Sequence, residues 1–276
     1  MRLLNKEIIM KNVVITGSSK GIGLGLAHHF LKRGHRVMLS SFARQEMEQE
    51  LDKARQLYGA DKVAACACDV TDVEQVRGLW KAAVDRFGTV DIWVNNAGIA
   101  NTTRLLWELE AREIPRVVGT NLTGVIFGTQ VALQGMLAQG SGQVYNSEGF
   151  GSDDMVVKGL SVYGATKRAV RYFSEALAQE VEGQPVQVGT ISPGIVLTDF
   201  LLDDMRKMDP EQLETTKAVY NALADDVDTV TNFLVDELLV NRENGRRIIW
   251  MTEEKANQYF ADESRLARDL FSQYGL

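Results

Sequence analysis

Two side chains in this sequence are spaced to move a proton onto a carbonyl oxygen. They are Tyr163 and Lys167, in the segment Tyr163-Gly-Ala-Thr-Lys167. On a helix, a separation of four stacks both side chains on one face, with Cβ atoms roughly 5–6 Å apart. A phenol can donate its proton, and a fixed ammonium stabilises the phenolate left behind. The pair is therefore expected to lower the Tyr163 pKa towards working pH. Tyr and Lys meet at this spacing on many helix surfaces, so the meaning of the pair depends on its surroundings.

A second constellation lies near the start, where Gly17, Gly21 and Gly23 follow the apolar run Lys11–Thr16 and precede a helical stretch from about Ile22 to Arg33. Strand, glycines and helix in that order let backbone approach a pyrophosphate, and the helix N-terminus attracts its charge. Further apolar runs are expected as strands at Arg36–Ser40, Lys62–Cys68, Val90–Val94, Gly142–Asn146, Val186–Thr190 and Arg246–Trp250. Helical patterns separate them: 43–58, a stretch ending at Phe87 with Thr71 or Asp72 as N-cap, one from Asn121 to about Gln139, and one carrying Tyr163 to Glu180. This alternation predicts an α/β fold, a single doubly wound parallel sheet of Rossmann type with helices on both faces. Ligands of such sheets bind at the carboxyl ends of the strands.

Composition fits one large domain. The 276 residues are 45% hydrophobic and 24% charged, with a net charge of −7. The acidic balance argues against a nucleic-acid footprint. No apolar run reaches the roughly 18 residues a transmembrane helix needs. A soluble, cytoplasmic protein is expected, or a stromal one if the source is a plastid, with no transit peptide apparent; peripheral membrane contact is compatible with this. Cys66 and Cys68 alternate with alanine in an apolar run and read as core rather than disulfide or metal ligands. His28, His29 and His35 lack metal-ligand spacing, so no metal is expected. The domain reading is an N-terminal extension at 1–10, a reductase domain at 11–252 with a substrate lid at about 199–225, and a C-terminal tail helix at 253–276.

Thr16-Gly-x-x-x-Gly-x-Gly23, Asn95-Asn-Ala-Gly98, Asn121, Tyr163-x-x-x-Lys167 and Pro193-Gly-x-Val-x-Thr198 occur in the order and at the separations of the short-chain dehydrogenase/reductases. The chain resembles that family well over roughly residues 11–200. The resemblance implies Tyr163 as proton donor, Lys167 as holder of the ribose hydroxyls, and Asn121 as the residue that positions a relay water. It implies cofactor contacts from Gly17, Ser19, Lys20, Gly21, Ile22 and Gly23 in the first loop. Asp69 and Val70 would follow at the third strand, Asn95, Ala97 and Gly98 at the fourth, and Pro193, Gly194, Val196 and Thr198 around the nicotinamide. Cofactor choice is expected from the end of the second strand. Ser40-Ser41-Phe42 offers no carboxylate there to repel a 2′-phosphate, while Lys20 and Arg44 supply cations. NADPH is expected over NADH, although Phe42 stands where many NADP-dependent relatives carry arginine. Homodimers or homotetramers are common in the family and expected here.

The chain departs from the family where a catalytic serine normally ends the fifth strand. Glu148 and Gly149 fall at that point, leaving the role open among Ser147, Ser152 and Glu148, the last as a protonated acid in a closed apolar site or as a solvated carboxylate. Asn146-Ser-Glu-Gly-Phe-Gly-Ser152 with Tyr163-Gly-Ala-Thr-Lys-Arg168 resembles the chlorophyll b reductases of the non-yellow-colouring type. That likeness implies reduction of the 7-formyl group of chlorophyll(ide) b, a large apolar tetrapyrrole. Phe150, Met155, Phe200 and Leu201 are candidate substrate contacts, with Trp107 and Val157 beyond them. Leu202, Met205 and Met208 continue a lid stripe that could equally be ordinary packing. A generic ketone or 3-oxoacyl thioester reductase is the alternative. A catalytically silent dinucleotide-binding protein is a third reading, against which intact Tyr163, Lys167 and Asn121 argue.

Overall fold

The seven apolar runs are strands in a computed structural model that describes residues 9–276. The expected extension at 1–10 lies largely outside the described residues. The first half comprises β1 (Asn12–Thr16), α1 (Gly21–Lys32), β2 (Arg36–Ser41), α2 (Arg44–Tyr58), β3 (Val63–Ala67), α3 (Val73–Phe87) and β4 (Ile92–Asn95). Asp72 is the cap of α3, accepting from the backbone N–H groups of Glu74 and Gln75. The chain continues through α4 (Glu113–Val118), α5 (Gly124–Gln139), β5 (Gly142–Ser147), α6 (Ser161–Glu180) and β6 (Val186–Ser192). The remainder is α7 (Asp199–Met205), α8 (Pro210–Leu223), α9 (Val227–Val240), β7 (Arg247–Ile249), α10 (Glu253–Ala261) and α11 (Glu263–Leu266). The expected tail helix is thus broken into short pieces, because Asp262 ends α10 and caps the next turn by accepting from Ser264 N.

All strand pairs are parallel, in the order β3-β2-β1-β4-β5-β6-β7. The order reverses between β1 and β4, which opens a crevice there. Strand alternation feeds two cores. Val13 and Ile15 face Leu26 and Phe30 of α1 and Leu234 of α9. Val14 and Trp93 face Leu79 of α3 and Met136 of α5.

Asn95 belongs to the second face, which corrects its expected place in the cleft. Its Nδ2 donates to Thr129 Oγ1 at 2.9 Å and Asn146 Oδ1 at 2.8 Å, and its Oδ1 accepts from Trp93 Nε1 at 2.8 Å. Asn146 passes the chain on to Ser174 Oγ of α6 at 2.9 Å. This buried network locks β4, β5, α5 and α6 together, with each polar atom given a partner. Gly128 of α5 packs directly on Asn95, where an added Cβ would overlap the amide oxygen. Gly128→Ala is expected to cost about 1–3 kcal/mol by overpacking, read as a fall in the urea midpoint at constant m-value.

Candidate active site

A cleft of about 820 Å³ opens over the carboxyl ends of the central strands and is bounded by the first βα loop, the loops after β4 and β5, α6 and the start of α7. Gly17 and Gly21 have φ values of 63° and 56°, which side-chain-bearing residues adopt at a cost. Gly17 also sits so close to the β4 loop that a Cβ would lie 2.7 Å from Ala97 Cα. Lys20 precedes α1 with no side-chain cap bond, so the N–H groups opening that helix have no side-chain acceptor. A glycine cradle ending at an uncapped helix N-terminus fits the pyrophosphate of a dinucleotide.

Ser19 Oγ and Ser41 Oγ lie 3.0 Å apart at one end of this cleft. Lys20, Ile22, Gly23, Asp69, Val70, Ala97, Gly98, Pro193, Gly194, Val196 and Thr198 join the lining, as expected from the sequence. Ser40 and Arg44 do not. Ser40 is buried, its carbonyl accepting from Ser18 N, and Arg44 is exposed at the start of α2. Three residues not singled out in the sequence also matter here. Asn96 lines the cleft, and its Nδ2 ties Thr16 O and Gly17 O at 3.0 Å each. It sits one residue on from Asn95, and strand alternation turns the two to opposite faces. Arg116, just before a π-type turn at Gly119–Thr123, lines the same cleft. Glu46, in the first turn of α2, adds a carboxylate to the cleft lining.

At the other end, α6 presents Tyr163 and Lys167. Lys167 Nζ lies 5.7 Å from the Tyr163 ring centre and donates to Ser147 O at 3.0 Å. Burial pushes the Lys167 ammonium down to about 8, against the opposing charge of Glu148. Burial also pushes the Tyr163 phenol above its ordinary range, with nearby Tyr220 adding to the effect. The direction is opposite to the lowering expected from Lys167, and burial holds the phenol protonated.

Asn121 is fully buried in the π-type turn and outside the lining. Its Oδ1 accepts from Ile99 N at 2.9 Å, and its Nδ2 donates to Ile99 O at 2.8 Å and Thr166 Oγ1 at 3.2 Å. The side chain thus fastens the β4 loop to α6 and does not itself line the cleft. Glu148 corrects the sequence reading more sharply. Its side chain is fully buried, yet it is not a free acid in an apolar pocket. It accepts from Arg247 Nε at 2.9 Å on both oxygens and from Arg247 Nη2 at 2.6 Å, across to β7. Ser147 Oγ is buried with no hydrogen-bond partner, and Ser152 is buried outside the lining.

Gly149 takes the space beside the phenol. A Cβ there would stand 2.5 Å from Tyr163 Oη and 3.4 Å from Lys167 Cε. The phenol therefore abuts bare backbone where a side chain is expected in the family. Phe200 faces it with ring centres 6.4 Å apart, and Phe150 and Leu201 complete the wall. Met155 is 53% exposed and outside the lining, so it is no pocket wall; Trp107, 81% exposed, is outside as well. The lid stripe divides: Leu202 and Met205 turn inward and pack on Phe271. Among the described residues no cluster of metal-ligating side chains occurs, and no helix is long and apolar enough to cross a membrane.

The burial of Lys167 gives a pH signature. Its folded pKa is depressed, so the ammonium is present below about 8 and lost above. Proton donation that relies on that charge is expected to fall tenfold per pH unit above about pH 8, with no added loss from ionisation of the phenol, whose pKa is raised. A plot of log kcat/KM against pH that stays flat to about pH 9.5 would contradict the assignment of Lys167.

The surroundings of the pair agree with comparisons to known proteins. Residues 11–209 match the short chain dehydrogenase family. A probable chloroplastic chlorophyll(ide) b reductase of Oryza sativa subsp. japonica is 34% identical in an alignment 258 residues long that covers 88% of this chain and 50% of that protein. A second chloroplastic chlorophyll(ide) b reductase, from Arabidopsis thaliana, is 34% identical over 232 residues, 82% of this chain and 65% of that one. The chain thus spans about half to two thirds of the length of these relatives. Among solved structures, levodione reductase superposes with a TM-score of 0.80 at 26% identity, covering 91% of this chain and 98% of that one. With its glycine loop, Tyr163–Lys167 pair and parallel sheet matched over most of its length, the chain belongs to the short-chain dehydrogenase family, whose members bind a nicotinamide dinucleotide.

Proposed function

We propose that this chain reduces a carbonyl with NADPH, and that the carbonyl is the 7-formyl group of chlorophyll(ide) b, converted to 7-hydroxymethyl. The observation that carries this reading is the departure at Glu148-Gly149. The phenol of Tyr163 abuts the bare backbone of Gly149, and the apolar side chains Phe150, Phe200 and Leu201 line the cleft with it. An aldehyde on the edge of a flat macrocycle could reach the phenol there without meeting a serine side chain. The relatives named as chlorophyll(ide) b reductases support the same substrate class.

A nicotinamide dinucleotide, when held by the Gly17–Gly23 loop and the Pro193–Thr198 segment, would supply the hydride that the carbonyl carbon needs. Tyr163, held protonated by burial, donates its proton to the carbonyl oxygen, so an alcohol forms. Lys167, fixed by Ser147 O, stabilises the phenolate left behind. Gly149 lets the phenol pack against backbone with no side chain between them, and Phe200 with Leu201 gives the cleft an apolar wall beside it. NADPH is favoured by Lys20 and by the paired hydroxyls of Ser19 and Ser41, which suit a 2′-phosphate. Glu46 opposes that preference from α2.

Incubation with NADPH and chlorophyllide b, followed by pigment chromatography, is expected to yield the 7-hydroxymethyl product. Tyr163→Phe is expected to lower turnover about 10²–10⁴-fold at unchanged dinucleotide affinity. Turnover of small ketones or 3-oxoacyl thioesters alone would leave a reductase and remove the tetrapyrrole. The cofactor proposal has its own check. Glu46→Gln is expected to raise the ratio of kcat/KM for NADPH over NADH about threefold, a modest gain because solvent screens a carboxylate at this exposed position. A wild-type ratio at or below one would overturn the NADPH assignment.

A further inference from the structure

Residues 250–276 continue past the last strand and pack onto the lid rather than leaving the molecule. Phe271 is fully buried against Leu202 and Met205 of α7. Arg265 Nη1 donates to Ala222 O at 3.0 Å. Arg268 donates to Asn221 O at 2.7 Å, Ala222 O at 3.0 Å and Ala224 O at 2.9 Å. These carbonyls lie at the end of α8, where the last turn of a helix lacks intrahelical donors and carries partial negative charge. Two guanidiniums from the tail therefore cap a lid helix.

One carboxylate joins this clamp to the cleft. Asp225 Oδ1 accepts from Arg265 Nη2 at 2.6 Å, and its Oδ2 accepts from Trp250 Nε1 at 2.8 Å and Tyr259 Oη at 3.2 Å. The side chains of the ion pair are only 18% and 6% exposed. The backbone of Asp225 is bonded in turn to the loop after β6. Its N–H donates to Ile195 O at 3.1 Å, and its carbonyl accepts from Leu197 N at 3.0 Å. Ile195 and Leu201, which line the cleft, pack in the same cluster as Met251, Tyr259 and Leu270 of the tail. Gly194 lies so close to the tail that a Cβ would stand 2.8 Å from Met251 Cβ.

We propose that the tail is the outer layer of the substrate lid, and that Asp225, Arg265 and Phe271 are positioning residues that set how tightly the site holds its carbonyl substrate. None of the three lines the cleft; they act through Ile195, Leu201 and α7. Interactions that hold a lid closed in both the ground and transition states appear in KM and leave kcat alone. The kinetic arm of the test rests on the reductase reading, whereas the proteolytic arm does not.

Arg265→Met and Phe271→Ala are compared with wild type, with Arg265→Lys and Phe271→Leu as conservative partners. Limited trypsin cleavage at Arg206 and Lys207, between α7 and α8, is followed by mass spectrometry. It is expected to accelerate about tenfold in the first two variants, because a loosened lid samples open states more often. For a carbonyl compound turned over by wild type, KM is expected to rise about tenfold, while kcat and the dinucleotide Kd stay within about twofold. The conservative variants are expected to show each effect at about twofold to threefold, and that smaller paired rise in cleavage and KM carries the test if the Arg265→Met or Phe271→Ala chain does not fold. Faster cleavage in a protein that reduces no carbonyl would keep the lid assignment and remove the reductase. Unchanged cleavage and KM in folded variants would overturn the proposal, as would parallel loss of KM, kcat and dinucleotide affinity.

Discussion

An ammonium taken out of water has to be held by something, and much of this molecule is arranged around the one on Lys167. The residue is 4% exposed, and its side chain finds one carbonyl, that of Ser147 at the end of β5. Burial lowers its pKa, and the Glu148 carboxylate restores part of the preference for charge. That carboxylate is itself buried, so it needs a partner, which β7 supplies as Arg247. The sequence of dependencies runs across the sheet from α6 to β5 to β7. A carboxylate at the place of the family's serine is thus compatible with catalysis because the sheet edge provides a guanidinium to receive it.

The remainder of the site follows from geometry that such a charge imposes. Lys167 must lie close to Tyr163, so α6 has to approach the end of β5 closely. Gly149 permits this, since its backbone meets the phenol with no side chain between them. The buried amide network of Asn95, Thr129 and Asn146 fixes the strands beneath, and Asn121 fixes the β4 loop to the same helix. Asn95 and Asn146 share partners in one buried network, and Asn121 holds Ile99 O and Thr166 Oγ1 together, so a shift at one bond strains the others, which is why the site tolerates little drift.

Much of this is legible from residue order alone. The seven strands and their helices follow from apolar runs and capping signals, and the cofactor cradle from glycines between a strand and a helix. What stays hidden depends on faces and on distance along the chain. Asn95 and Asn96 differ by one residue, and only the pleat decides which of them reaches the cleft. Ser40 and Ser41 divide in the same way. Glu148 and Arg247 are 99 residues apart, so no local pattern could pair them. Spacing reveals the charge beside Tyr163 but not the depth of burial, and it is burial that sets the direction of the phenol's pKa. The composition of the tail permits one continuous helix; Asp262 and packing on α7 divide it instead.

The reach of Arg247 back to Glu148 also has a temporal meaning. A chain made from its N-terminus exposes β5 and α6 long before β7 leaves the ribosome. Until then the Glu148 carboxylate has no guanidinium partner, and closing it into the core is unfavourable. The nucleotide cradle, built from residues within the first hundred or so, can mature early by comparison. The catalytic end of the cleft is then among the last parts to be completed. A polypeptide stalled or truncated before the final strand would carry every residue of the Tyr163–Lys167 pair without its charge balance.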